Sequence, residues 1–107
     1  MLILRVGRYM LRMLYKAIMD CKFIEKAAGA IADKSRLSIL IELRKKETLT
    51  NAEVMDLVGL SQPCVSHHIK LLIDSGLVNS SKEGRNVHLQ LNKEAVQQLS
   101  SFLDGLV

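Results

Sequence analysis

The stretch LSQPCVSHHIKLLIDSGLV, residues Leu60–Val78, decides how this 107-residue chain folds. Ser61 belongs to the residue types that cap helix N-termini, and Pro63 falls in the first turn, where a missing backbone N–H costs little. Gly76 ends the pattern, because glycine tolerates the backbone conformation that commonly stops a helix. The stretch therefore predicts one helix from about residue 61 to residue 75.

The two faces of this predicted helix differ in chemistry. At about 100° per residue, Val65, Ile69 and Leu72 fall together and form the expected core face. The opposite face and the N-terminal tip collect side chains that can bond base edges or phosphates. These residues are Ser61, Gln62, Pro63, Ser66, His67, Lys70 and, on the same face, Asp74. An ordinary solvent-exposed face explains the same pattern, so this feature alone does not establish DNA binding.

A second short helix is predicted directly upstream. Thr50 and Glu53 form a T-x-x-E capping box, and Gly59 occupies the position after the helix that favours a residue tolerating positive φ. The apolar stripe of this helix consists of Val54, Leu57 and Val58. Two short helices joined by a tight turn containing glycine are typical of a helix-turn-helix, whose second helix reads the major groove.

Two strand-like runs follow the second helix. Leu77–Ser81 and Val87–Leu91 are predicted to pair as a hairpin, with residues 82–86 as its loop. The loop carries Lys82 and Arg85 at its tip, where cations can meet phosphates. A helix-turn-helix followed by a hairpin predicts a winged helix.

Residues 3–32 are predicted to form one or two helices with an apolar seam at coiled-coil-like spacing. The seam consists of Leu4, Leu11, Leu14, Ile18 and Cys21. An apolar seam on a basic helix can lie on a membrane surface, but packing on another helix is the interpretation adopted here. Four charges spread through the first nineteen residues exclude a membrane span. They are Arg5, Arg8, Arg12 and Lys16.

Two further helices complete the chain. Asp33 can cap a helix in which Leu37, Leu40 and Ile41 are expected to face inward. Asn92 can cap a last helix with an apolar face. That face comprises Val96, Leu99, Phe102, Leu103 and Leu106. The predicted fold class is mainly α with a small β-hairpin wing, a winged helix-turn-helix in the order α-α-α-α-β-β-α.

Composition fits one small DNA-binding domain that dimerises. Apolar residues make up 49% of the chain, so some of its surface is expected to meet a second subunit. Residues 1–46 carry a net charge of +7 and residues 47–107 a net charge of −3. The basic half is either a solvated helix face or a surface that follows phosphates. Without a recognisable signal peptide, a cytoplasmic protein with reduced thiols is expected.

Three separated motifs resemble the ArsR family of winged-helix repressors. Leu60–Val78 resembles the family's recognition helix, AIADKSRLSIL at Ala30–Leu40 resembles its upstream helix, and KEGRNVHLQL at Lys82–Leu91 resembles its wing. The resemblance covers about residues 24–103, with the motifs in the family's order. It implies a DNA-binding transcriptional regulator of the repressor type, a dimer built from the first and last helices that binds an inverted repeat near a promoter.

The resemblance also implies where DNA and a second subunit would bind. The predicted DNA-contacting residues are Ser61, Gln62, Pro63, Ser66, His67, His68, Lys70, Lys82 and Arg85. One winged-helix domain is predicted over residues 1–107, with residues 1–32 and 92–107 as dimerisation helices. The predicted dimer interface comprises Leu4, Leu11, Leu14, Ile18, Val96, Leu99, Phe102 and Leu106. Double-stranded DNA and a second copy of the chain are therefore the expected partners.

The metal sites common in this family are predicted to be absent, and no cofactor is expected. Thr50 and Ala52 stand where family members carry a Cys-x-Cys pair, and neither supplies a thiolate. The last helix of other members holds Asp and His ligands, whereas after His88 this chain offers only Glu94 and Asp104. His67 and His68 are adjacent on a helix and do not converge on one ion.

The two cysteines leave an alternative open. Cys21 and Cys64 are expected to be buried and unreactive. Cys64 nevertheless falls in the first turn of the recognition helix, where oxidation would place bulk or charge near DNA, so a redox-responsive repressor is one alternative function. A winged-helix protein-interaction module without specific DNA binding is the other. No spacing of nucleophile, base and carboxylate and no glycine-rich phosphate loop indicates an enzyme.

Overall fold

The computed structural model describes residues 2–107, and the side chains of residues 2–6 and of Met19 lie outside that description. It contains five helices and three strands within the described range. The helices are α1 Leu2–Ile31, α2 Lys34–Lys46, α3 Asn51–Val58, α4 Gln62–Asp74 and α5 Lys93–Asp104. The strands are β1 Leu49–Thr50, β2 Val78–Glu83 and β3 Asn86–Leu91. The predicted fold class is confirmed, with β1 as an added element between α2 and α3.

Local capping interactions explain where three helices begin. The Asp33 carboxylate accepts from the backbone N–H of Arg36, at 3.1 Å, and starts α2. Both bonds of the Thr50–Glu53 capping box are present at the start of α3. The Asn92 side chain caps α5 in the same way. Ser61 occupies the N-cap position of α4 but makes no side-chain cap bond, so that expected contact is wrong although the helix begins where predicted.

The three strands form one antiparallel sheet in the order β1-β3-β2. Glu83 pairs with Asn86, so the wing turn contains only Gly84 and Arg85. The predicted five-residue loop is therefore wrong: the strands extend further, and Gly84 reverses the chain at a φ of +62°, which glycine adopts without strain. Leu49 of β1 pairs with Leu89 of β3 and ties the start of the helix-turn-helix to the wing.

The core lies between α2, α3, α4 and the sheet. Its fully buried large side chains are Ile39, Leu43, Leu49, Val54, Val65, Leu72, Leu77, Val78 and Leu89. The expected inward face of α2 is wrong, because Leu37 and Ile41 are exposed and Leu40 is only partly buried. Apolar residues occur on both sides of α2, so periodicity alone could not distinguish the buried row from the exposed one.

The long helix α1 extends well beyond this core. The molecule measures 61 × 35 × 23 Å, and its radius of gyration is 17.5 Å, compared with about 13 Å for a compact chain of this length. Among the described side chains of α1, those in the core lie in its C-terminal part, where Ala27 and Ala30 are buried and Phe23 packs against the core. No helix among residues 2–107 is long and apolar enough to cross a membrane.

Candidate nucleic-acid interface

The position of α4 is fixed by its buried face. Val65, Ile69 and Leu72 are buried in the core, as the sequence predicts. Gly59, at a φ of +65°, follows α3 in the left-handed conformation and reverses the chain just before α4 begins. This packing orients the other side of α4 toward solvent.

The polar face of α4 is exposed along the whole helix. All seven residues that the sequence assigns to this face and its N-terminal tip are exposed: Ser61, Gln62, Pro63, Ser66, His67, Lys70 and Asp74. They supply hydroxyl, amide, imidazole and ammonium groups, which are the donors and acceptors used to bond base edges and phosphates. Asp74 adds one negative charge at the C-terminal end of the face, where it would repel a phosphate.

His68 does not belong to the exposed face. Its side chain is only 16% exposed, its Nδ1 lies 3.0 Å from Nη1 of Arg36, and the Asp33 carboxylate is 3.7 Å away. The expectation that His68 contacts DNA is therefore corrected, because the ring is turned toward the junction of α1 and α2. Consecutive residues on a helix point about 100° apart, which separates His68 from His67.

Arg36 connects three helices around that ring. Its Nε donates to the carbonyl of Ala30 at 2.6 Å, and its Nη2 donates to the carbonyl of Gly29 at 3.3 Å. The Arg36 backbone N–H holds the pKa of the Asp33 carboxyl below its usual value, and the charge of Arg36 acts in the same direction. Sequence reasoning missed this cluster, although Arg36 lies within the upstream family motif.

The wing presents one cation on its turn and a second at the end of β2. Lys82 and Arg85 are exposed at the end of the β2–β3 hairpin, with Glu83 between them. Nε2 of His88 lies 3.9 Å from the Glu83 carboxylate, and the His88 side chain is 28% exposed. His88 therefore belongs to the wing itself and lies apart from the polar face of α4.

Both cysteines differ from expectation. Cys21 and Cys64 are free and exposed, so the prediction of buried thiols is wrong. Cys64 is on the first turn of α4, beside the polar face. The Thr50 hydroxyl accepts from the Glu53 backbone N–H at 3.2 Å, so its role is to cap α3. Across the described residues, no three His, Cys, Asp or Glu side chains gather closely enough to hold a metal ion.

The apolar residues assigned to dimerisation lie on exposed surfaces of α1 and α5. Leu11, Leu14 and Ile18 are 55–67% exposed on α1, while the Leu4 side chain lies outside the described residues. On α5, Val96 and Phe102 are exposed and Leu99 packs partly against the core, while Leu106 is exposed just beyond the end of the helix. An apolar groove of about 410 Å³ continues from α5 to α2. Its apolar lining is Ile31, Leu40, Ile41, Leu77, Leu91, Val96 and Leu99.

A helix-turn-helix with an exposed polar second helix, followed by an antiparallel hairpin, defines a winged-helix DNA-binding protein. Residues 33–80 match the family model described as "Bacterial regulatory protein, arsR family". The chain is 34% identical over 86 residues to the arsenical resistance operon repressor of Staphylococcus xylosus, covering 80% of this chain and 82% of that relative. The protein belongs to the arsR family, which confirms the resemblance drawn from its motifs.

Solved structures agree with this assignment. The crystal structure of an ArsR family transcriptional regulator has a TM-score of 0.73 and 25% sequence identity, covering 79% of this chain and 87% of the other. HlyU from Vibrio cholerae has a TM-score of 0.63 and 28% identity, covering 80% of this chain and 92% of the other. The protein is thus a DNA-binding transcriptional regulator and not an enzyme.

Proposed function

We propose that this protein is a transcriptional repressor that binds an inverted-repeat operator as a homodimer. The observation that carries the proposal is the exposed polar face of α4, which lies opposite the buried Val65, Ile69 and Leu72. An α-helix fits the major groove of B-DNA, where each base pair presents a distinct pattern of donors and acceptors. The relative from Staphylococcus xylosus carries the name of an operon repressor, which supports repression as the outcome.

The residues of α4 divide by the contacts that they can make. Gln62, at the N-terminal tip, can pair with an adenine through its amide, and Ser66 and His67 can bond base edges from the middle of the face. Lys70 is suited to a phosphate, because its ammonium is a flexible point charge. Ser61 and Pro63 lie at the tip, where the backbone approaches DNA most closely. The phosphate contact would fix the position of α4 along the duplex, and the base contacts would set its sequence preference.

The wing supplies contacts beside the groove. Arg85 and Lys82 are exposed on a short, well-paired hairpin, so they can reach the phosphate backbone or the adjoining minor groove. Contacts of this kind raise affinity for every duplex and add little sequence preference. The wing is therefore assigned the role of a clamp, and α4 the role of the reader.

Dimerisation would cover the apolar surfaces of α1 and α5. Leu11, Leu14 and Ile18 share one side of α1 and are each at least 55% exposed on the part of the helix that extends beyond the core. A contiguous apolar surface of this kind on a small domain indicates a protein interface. The dimerisation helices are assigned to residues 1–32 and 92–107 of a single domain. A two-fold axis would place the two α4 helices about 34 Å apart, which is one turn of DNA.

Binding to promoter DNA tests the proposal. A mobility shift should show that the protein prefers a duplex from the promoter beside its own gene over a shuffled duplex of the same composition. Affinity should fall steeply with salt, because each neutralised phosphate lowers log K by about 0.9 per unit of log[salt]. Equal affinity for the two duplexes would instead favour a protein-interaction module, and binding that ignores salt would contradict phosphate contacts.

A further inference from the structure

We propose that Arg36 is a positioning residue for operator recognition, which holds the reading helix α4 against the end of α1 by way of His68. The inference rests on the proposed function, since it assumes that α4 reads DNA. Arg36 would act through another residue and not by touching DNA, because all three nitrogens of its guanidinium have partners within the protein.

Each nitrogen of the guanidinium has a different partner. Nε donates to the Ala30 carbonyl at 2.6 Å, Nη2 to the Gly29 carbonyl at 3.3 Å, and Nη1 lies 3.0 Å from Nδ1 of His68. A guanidinium has N–H donors and no acceptor, so Nδ1 of His68 must accept this bond. The neutral His68 ring therefore carries its proton on Nε2, which is a consequence that can be measured.

Arg36 also completes the end of α1. The last carbonyls of a helix have no partner within that helix, and Gly29 and Ala30 lie in the last turn of α1. The Arg36 side chain donates to both of these carbonyls, of which that of Gly29 also accepts from the Ala32 N–H at 3.3 Å. The Arg36 backbone N–H donates to the Asp33 carboxylate at the start of α2. One residue thus ends the proposed dimer helix, begins α2 and contacts α4.

The position of His68 makes this contact relevant to DNA. His68 directly follows His67, which lies on the exposed face, so fixing the His68 ring restricts rotation of α4 about its axis. Val65, Ile69 and Leu72 hold the helix on the core through apolar packing, which has no directional bond. The Arg36–His68 bond is directional, so it fixes how α4 is rotated about its axis. Because Arg36 also bonds to the end of α1, it fixes the orientation of the polar face of α4 relative to the proposed dimer helix.

Two kinds of variant test this role. Arg36→Lys keeps the charge and loses the planar fork that reaches three acceptors, while His68→Leu removes the acceptor. His68→Asn is the conservative variant, because its side-chain oxygen can accept near the position of Nδ1. For the first two variants, operator affinity should fall about 10-fold, which corresponds to about 1.4 kcal/mol, because a misaligned α4 loses base contacts. Affinity for a shuffled duplex and the salt slope should stay unchanged, and His68→Asn should retain most of the operator affinity.

A double variant separates positioning from general stability. If the two residues act through one bond, Arg36→Lys combined with His68→Leu should lose no more operator affinity than either single variant. Additive losses, or an unchanged ratio of operator to shuffled affinity, would overturn the proposal. Circular dichroism at the assay temperature would verify that each variant is folded.

Nitrogen-15 NMR of the wild-type protein gives a second test that needs no variant. The spectrum should show the proton of neutral His68 on Nε2 and an accepting Nδ1, whereas a proton on Nδ1 would overturn the inference. A wild-type protein that shows the expected His68 signal but does not prefer operator DNA would contradict the proposed function instead. The two failures can therefore be distinguished.

Discussion

His67 and His68 are consecutive on α4, yet their ring centroids lie 6.1 Å apart, their planes are inclined by 50°, and only His67 is exposed. The two rings therefore face different surroundings, one solvent and the other the Arg36 guanidinium. This divergence assigns different roles to neighbouring residues of the same type. It also argues against a metal held by both, since adjacent helical side chains do not converge.

The exposed ring and the wing should affect DNA binding in different ways. His67→Ala should reduce discrimination between operator and shuffled duplex by about 1–3 kcal/mol, because a base contact is lost. Arg85→Ala should weaken binding to both duplexes evenly. It should also reduce the steepness of log K against log[salt] by about 0.9, the contribution of one phosphate contact. Fluorescence anisotropy titrations at several salt concentrations measure both effects. Relaxed specificity in Arg85→Ala with intact specificity in His67→Ala would reverse the assigned roles.

The apolar face of α1 should carry the dimer. We expect sedimentation at micromolar concentration to give twice the chain mass for the wild type. Leu14→Glu should shift the protein toward the monomer, because a carboxylate buried in an apolar interface is costly. Leu57→Glu is the matched control, since Leu57 is an exposed leucine on α3, outside the proposed interface. A wild-type monomer, or equal mass for wild type and Leu14→Glu, would contradict this interface.

Zinc, cadmium and arsenite should not release the protein from its operator through the usual family sites. A soft-metal site needs thiolates that converge within about 2.3 Å of one ion, and Thr50 and Ala52 supply none. Cys21 and Cys64 lie on different helices, although Cys21 could meet its own symmetry mate across a dimer. An operator titration with each metal, repeated with Cys21→Ser and Cys64→Ser, tests the prediction. Release at stoichiometric metal that either substitution abolishes would reveal a sensor.

The Asp33 carboxylate should contribute stability in a defined pH range. Its pKa is lowered in the folded protein, so it stabilises the fold above the ordinary Asp value of about 3.9, and this contribution fades as pH falls through the lowered value. Asp33→Asn keeps a capping side chain and removes the charge. Thermal unfolding should show a higher Tm for the wild type at pH 7 and a smaller difference at pH 3. The same difference at both pH values would contradict the charge contribution.

Local sequence signals predicted most of the fold. Capping side chains at Asp33, Thr50 and Asn92 act within three residues, so their helices could be placed without knowing the tertiary structure. The buried face of α2 could not be predicted, because the helix has leucines and isoleucines on more than one side. Tertiary packing determines that Ile39 and Leu43 are the ones buried. Strand β1 has two residues, which is too short for a periodic pattern.

The candidate site was predictable only in part. The exposed polar face of α4 follows from helical periodicity, which placed His67 and Lys70 opposite the core. The Arg36–His68 contact joins residues 32 positions apart, so no local pattern indicates it. Exposure of Cys64 was missed because cysteine is usually buried, whereas the first turn of α4 lies at the surface.

Selection of bound sequences from a random duplex library tests the central claim most directly. If two α4 helices read DNA about a two-fold axis, the wild-type protein should enrich an inverted repeat whose half-site centres lie about 10–10.5 base pairs apart. His67→Ala should enrich the same repeat with weaker preference at one position in each half-site. A library that shows no enrichment, or that enriches a single unrepeated site, would contradict the account of a dimeric reader.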